Sequence, residues 1–155
     1  MKSHFPVYWL GLSFRNMQIT NVTIDPGGAV MIRYGDCLVG GQYTCVTPLS
    51  IVTSPDNSFI PGVSGATRSL SLRGASARLA QSGTTLAIPT GGVVVSVYGR
   101  SPSLSRAAAT MMAPVNEVGL PQARLPAAAP DTGFDRLPLP GQVPVGVSVP
   151  RPRTE

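Results

Sequence analysis

Between residues 69 and 98 the chain repeats one pattern: a short run with apolar side chains at every second position, then a turn. In "SLSLR" (69–73), Leu70 and Leu72 share a face, and in "ASARLA" (75–80) Ala75, Ala77 and Leu79 do. "QSGT" turns the chain, "TTLAIP" (84–89) places Leu86 and Ile88 together, and "TGG" turns it again. A period of two is the strand period, because successive side chains point to opposite faces. Turns this short join antiparallel neighbours, since a parallel crossover needs a dozen or more residues. The next run, "VVVSVY" (93–98), is apolar on both faces except Ser96. That predicts a central strand covered from both sides.

The same rhythm runs through the first half. "FPVYWL" (5–10) reads as a first strand, held to an edge by Pro6, which lacks a donor N–H. "MQITNVTI" (17–24) puts Thr20, Val22 and Ile24 on one face, and "AVMIRYG" (29–35) does so for Val30, Ile32 and Tyr34. "DPGG" (25–28) between them carries the chemistry of a type II turn, so the two runs predict a hairpin. "PLSIVT" (48–53) is a further short strand, and the turn formers of residues 54–67 predict a surface loop.

One helix interrupts the strands. Ser101 is a good N-cap and Pro102 suits the first helical position. Leu104, Ala107, Ala108, Met111 and Met112 recur at helical spacing as one apolar stripe for packing on the sheet. Pro114 disfavours helical geometry at Ala113, so the helix is expected over 102–113. Composition agrees with short strands and many turns: 17 Gly, 16 Pro and only 12% charged residues. From Glu117 the character changes. Residues 117–155 hold eight prolines and one aromatic, Phe134. Such a segment buries too little surface to offset its ordering entropy. The expected organisation is a single α+β domain at 4–116 and a disordered Pro-rich tail at 117–155. "RLPLPGQVP" (136–144) in that tail has the composition of either a Pro-rich recognition ligand or a spacer.

The charge is uneven. Residues 1–116 carry eight Lys and Arg against three Asp, the whole of the net +5, while the tail's four arginines meet four acids. This draws the domain toward polyanions such as anionic lipid or an acidic wall polymer. Arg33, Arg68, Arg73 and Arg78 are the candidate contacts for an anionic partner. The basic residues are scattered, without the Lys/Arg cluster of a nucleic-acid footprint. No run reaches the ~20 apolar residues of a membrane span. The opening "MKSHFPVYWLGLSF" lacks a small-x-small cleavage site. An exported form would therefore have lost its signal or would start upstream of Met1.

The parts of a catalytic site are sparse. His4 is the only histidine, and "GVSGA" (62–66) falls one residue short of a nucleophile elbow. Asp25 and Asp56 sit in turns, and Lys2, the only lysine, is part of no phosphate loop. No cofactor is expected. Cys37, Cys45, His4 and Asp36 do not match a zinc-ligand spacing, so no metal is expected either. "YGDCLVGGQYTCVTPLS" (34–50) contains both cysteines, with seven residues between them, two of which are Gly40 and Gly41. A Cys-x-x-Cys redox pair at a helix start is spaced differently. The reading that fits best is a Cys37–Cys45 disulfide, which places the chain in an oxidising compartment; the alternative is two reduced cysteines in a cytoplasmic protein.

"FPVYWLGLSF" (5–14), "IRYGDC" (32–37) with "TCVTPLSI" (44–51), and "LSLRGASARL" (70–79) before "VVVSVYGRSPSLSRAAATMM" (93–112) together resemble a group of small, uncharacterised actinobacterial-type proteins. The group's marks are an aromatic VYW-x-G opening and a YG-x-C … C-x-PL cysteine pair. The resemblance covers residues 5–116. It implies a secreted or membrane-tethered envelope protein and implies no activity. The expected function is a non-enzymatic binding or interaction module of the cell envelope. The alternative is an enzyme or enzyme-accessory subunit whose site would gather His4 or Asp36 with a hydroxyl or thiol.

Overall fold

A computed structural model describes residues 5–39, 45–55, 68–116 and 119–129. His4, Asp56, the "GVSGA" segment, most of the expected 54–67 loop and the tail from residue 130 lie outside the described residues.

The strands, in chain order, are β1 (Tyr8–Trp9), β2 (Ser13–Phe14), β3 (Met17–Ile24), β4 (Val30–Tyr34), β5 (Leu38–Val39), β6 (Cys45–Val46), β7 (Leu49–Ser54), β8 (Arg68–Leu72), β9 (Ala75–Ala80), β10 (Thr85–Thr90), β11 (Val93–Gly99) and β12 (Ala113–Pro114). The single α-helix among the described residues, α1 (Pro102–Met111), follows β11. Eight strands form one antiparallel sheet in the order β2-β3-β4-β7-β11-β10-β9-β8. The fold class is thus the expected one, mostly antiparallel sheet with one C-terminal helix. The run apolar on both faces, β11, lies centrally between β7 and β10, and Val93 to Val97 are all buried.

The register divides the side chains into two faces. Val30, Ile32 and Tyr34 of β4 align with Thr53, Ile51 and Leu49 of β7, and these continue into Val95 and Val97 of β11 and Ile88 and Leu86 of β10. This inner face is covered by α1 through Leu104, Ala108, Ala109 and Met112, and by the N-terminal segment through Val7 and Tyr8. Each such aliphatic side chain taken from water contributes about 1.5–3 kcal/mol. The opposite, outer face carries Arg33, Ser50, Val52, Ser96, Ala87 and Arg78.

Three local expectations change. The turn at 25–28 is type I with a G1 bulge rather than type II. Gly28, not Gly27, has the positive φ (91°), Gly28 N donates to Asp25 O at 2.9 Å, and Asp25 N donates to Ala29 O at 3.0 Å. The opening run contributes only Tyr8–Trp9, which leave the main sheet and pair with Ala113–Pro114. The helix ends at Met111 because Met112 is already extended (ψ 143°) and leads into β12. Its buried side includes Ser105, outside the expected stripe, whose hydroxyl donates to Thr84 O at 2.6 Å. The cap itself is as expected, with Ser101 Oγ accepting from Leu104 N at 3.2 Å.

Packing also continues past residue 116. Leu125 is only 4% exposed, its N–H donates to Arg73 O at 2.8 Å, and Gly91 exchanges backbone bonds with Ala127 and Ala129. Residues 119–129, expected in the tail, lie against the β8–β9 and β10–β11 turns. Among the described residues no helix is long and apolar enough to cross a membrane.

Candidate functional site

The four arginines expected to meet an anionic partner do not make one patch. Arg33 and Arg78 lie on the outer face, but on β4 and β9, four strand steps apart in the sheet order. At the ordinary strand spacing that is about 19 Å. Arg68 pairs with Leu79 and therefore belongs to the inner-face register, on the exposed edge strand β8.

Arg73 is occupied internally. Its Nε donates to Ala123 O at 2.6 Å, Nη1 to Met112 O at 2.6 Å and Ala109 O at 3.3 Å, and Nη2 to Leu120 O at 3.1 Å. These carbonyls include the open end of α1, where a cation also meets the negative pole of the helix. Burial pushes the guanidinium's pKa down, partly countered by the neighbouring Tyr8. Arg73 therefore acts as a structural clamp between these segments.

A cavity of about 520 Å³ opens elsewhere, at the sheet end next to the start of α1. Its size is that of a small-ligand site. The β2–β3 turn supplies Arg15 and Asn16, both at positive φ (48° and 64°) in a two-residue hairpin where glycine and asparagine are usual. Gln18 and Thr20 continue one wall along β3, Gly35 and Asp36 follow β4, and Arg100, Ser101 and Ser103 close the far side. Gly35 sits at φ 88°, and a Cβ there would stand 2.8 Å from Pro48 Cγ. Only glycine leaves this corner open without strain.

The cavity is polar and mildly cationic. Arg15 stands over the Phe14 ring at 5.7 Å from its centroid, and neither Arg15 nor Arg100 has an ion partner among the described residues. Asp36 is the one carboxylate among the lining residues. Two arginines lining the same cavity as Ser101, Ser103, Thr20, Asn16 and Gln18 suit a carboxylate or phosphate group. The sequence reading missed Arg15 and Arg100. A signal existed for the second, since an arginine directly before an N-cap Ser-Pro is carried to a helix start.

The cysteines fall on an extension of the β4–β7 hairpin. β5 pairs with β6 through Leu38↔Val46 and Val39↔Cys45, so Cys45 lies in this short ladder and Cys37 directly precedes it, two positions before the partner of Cys45. No cysteine among the described residues is free. Nor do three His, Cys, Asp or Glu gather there in a group that could hold a metal ion. Comparison with protein-family models, with curated proteins and with solved structures gives no match.

Proposed function

We propose that the protein is a non-enzymatic binding module of the cell envelope, and that it takes an anionic group of an envelope polymer into the Arg15–Arg100 cavity. The observation that carries this reading is a ligand-sized cavity bordered by two arginines without ion partners among the described residues. The excess of positive charge in residues 1–116 favours approach of such a partner from a distance. A Cys37–Cys45 disulfide belongs to the same proposal, since it fits a chain that works in an oxidising compartment. The ladder between β5 and β6 supports that bond by bringing the two positions together.

The test uses inorganic polyphosphate and poly-glutamate as probes, with titration calorimetry over a range of salt. Binding should weaken as salt rises. The Arg15→Ala/Arg100→Ala pair should lower affinity at least tenfold, while Arg68→Ala should leave it nearly unchanged. Equal affinity in the double variant, or no binding of either polyanion at low salt, overturns the proposal.

A further inference from the structure

Strand β3 presents an open edge. Its neighbour β2 pairs only with Met17 and Gln18, and Ile19 N is taken by Leu12 O, so the edge is covered for the first residues alone. Beyond them, Asn21 to Ile24 are all exposed. The hydrogen bond from Asp25 N to Ala29 O fixes the phase of the β3–β4 ladder. Hydrogen-bonded and non-bonded pairs alternate in an antiparallel ladder. Thr23↔Met31 and Asn21↔Arg33 are then the bonded pairs, and the N–H and C=O groups of Val22 and Ile24 point away from β4. The side chains of the same two residues are 54% and 47% exposed.

Unpaired backbone groups beside exposed β-branched side chains are the requirements for adding another strand. Edges are usually blunted by charge, proline or a covering loop. Met17–Ile24 carries no charge and no proline. The opposite edge does carry charge: β8 begins with Arg68 and pairs along β9, which bears Arg78.

We infer that the β3 edge is a self-association surface, where a second copy of this chain adds its own β3 antiparallel across a two-fold axis at Thr23. In that register Val22 pairs with the partner's Ile24, and Ile24 with the partner's Val22, so only outward-pointing backbone groups are used. Val22 and Ile24 cover one another on the inner-face side. Thr23 meets the partner's Thr23 as a close non-bonded pair. The partner's Asp25 comes beside Asn21, two strand spacings, or about 10 Å, from Arg33. Arg33 has no ion partner among the described residues. Asp25 Oδ1 accepts from Ala29 N at 2.9 Å in its own turn, which leaves Oδ2 for the guanidinium. This Arg33–Asp25 complementarity, formed twice across the two-fold axis, offsets the repulsion between two chains of net +5 and argues for a second copy as the occupant.

Sedimentation of the full chain over a wide concentration range tests this. The wild type should pass from one to two copies as concentration rises. Thr23→Lys sets like charges directly opposite each other and should remain monomeric with an unchanged melting temperature. Thr23→Cys, oxidised in air, should give a covalent dimer on a non-reducing gel that the wild type does not give. A wild type that stays monomeric overturns the inference, as does Thr23→Lys dimerising like wild type. So does dissociation by Ser69→Lys on β8 instead. If Thr23→Lys does not fold, the Thr23→Cys cross-link decides, and a dimer that fails to cross-link overturns the register.

Discussion

Arg73, held at φ 53° in the β8–β9 turn, donates through Nη1 to the carbonyl of Met112 at 2.6 Å, 39 residues away. A left-handed backbone is costly for a side chain of this kind and persists only where its surroundings over-determine it. Here the guanidinium's bonds to Ala109, Met112, Leu120 and Ala123 do so.

Replacing Arg73 by alanine should therefore lower stability by about 2–3 kcal/mol, since several carbonyls lose a charged donor. Arg73→Lys should recover less than half of that, because an ammonium cannot span the fork. Urea unfolding of both variants checks this, with amide exchange at Leu125 expected to rise in each.

Tyr34 is fully buried and joins two partners: its hydroxyl donates to Gly11 O and accepts from Leu10 N, both at 2.9 Å. Burial raises its pKa above the ordinary tyrosine value, and the Leu10 bond works the other way. Burial raises Tyr98 in the same sense. A raised folded pKa means the folded state keeps its proton where the unfolded chain has lost it. Stability is therefore full below the unfolded tyrosine pKa and falls as pH climbs through it. Tyr34→Phe should cost about 1–2 kcal/mol at neutral pH and make the alkaline fall in melting temperature shallower, with Tyr98 supplying the remainder.

If Cys37 and Cys45 are bonded, titration of the native protein should find no reactive thiol. Reduction should then cost about 2–3 kcal/mol for so short a loop. Two reactive thiols before reduction, or a melting temperature unmoved by reductant, would count against the bond.

Gly35→Ala tests the cavity wall. The substitution places a Cβ against Pro48 at a backbone angle that L residues rarely adopt. A loss of about 1–3 kcal/mol is expected, together with weaker polyanion binding than stability alone explains. Calorimetry below the melting transition separates the two effects.

The sheet was legible because its signal is local. The runs from Arg68 to Thr90 alternate at period two between short turns, 93–98 is apolar on both faces, and each appears as a strand of the expected partner and direction. The helix start was legible for the same reason, since Ser101 and Pro102 act within one turn. What escaped depends on contacts between distant residues. Arg73 reads as a surface charge until α1 and residues 120–123 come to it. Leu125 stands among prolines, alanines and polar residues, and its burial follows from the backbone bond to Arg73 O rather than from any apolar period. Arg15 and Arg100 are 85 positions apart in the chain and come to line one cavity only when the sheet has formed.

The β1–β12 ribbon sets the order of assembly. Val7 N donates to Asn116 Oδ1 across 109 positions, and Asn116 Nδ2 returns a bond to Phe5 O. Phe5 and Val7 can thus be seated only once Asn116, more than a hundred positions further on, is present. Until then Ile32, Tyr34 and Ile51 lack the lid that Val7 and Tyr8 provide, and a growing chain carries that apolar surface uncovered. Contacts of such long range slow folding. For this protein, then, the core closes only after α1 and the segment up to Asn116 exist, and not as each strand forms.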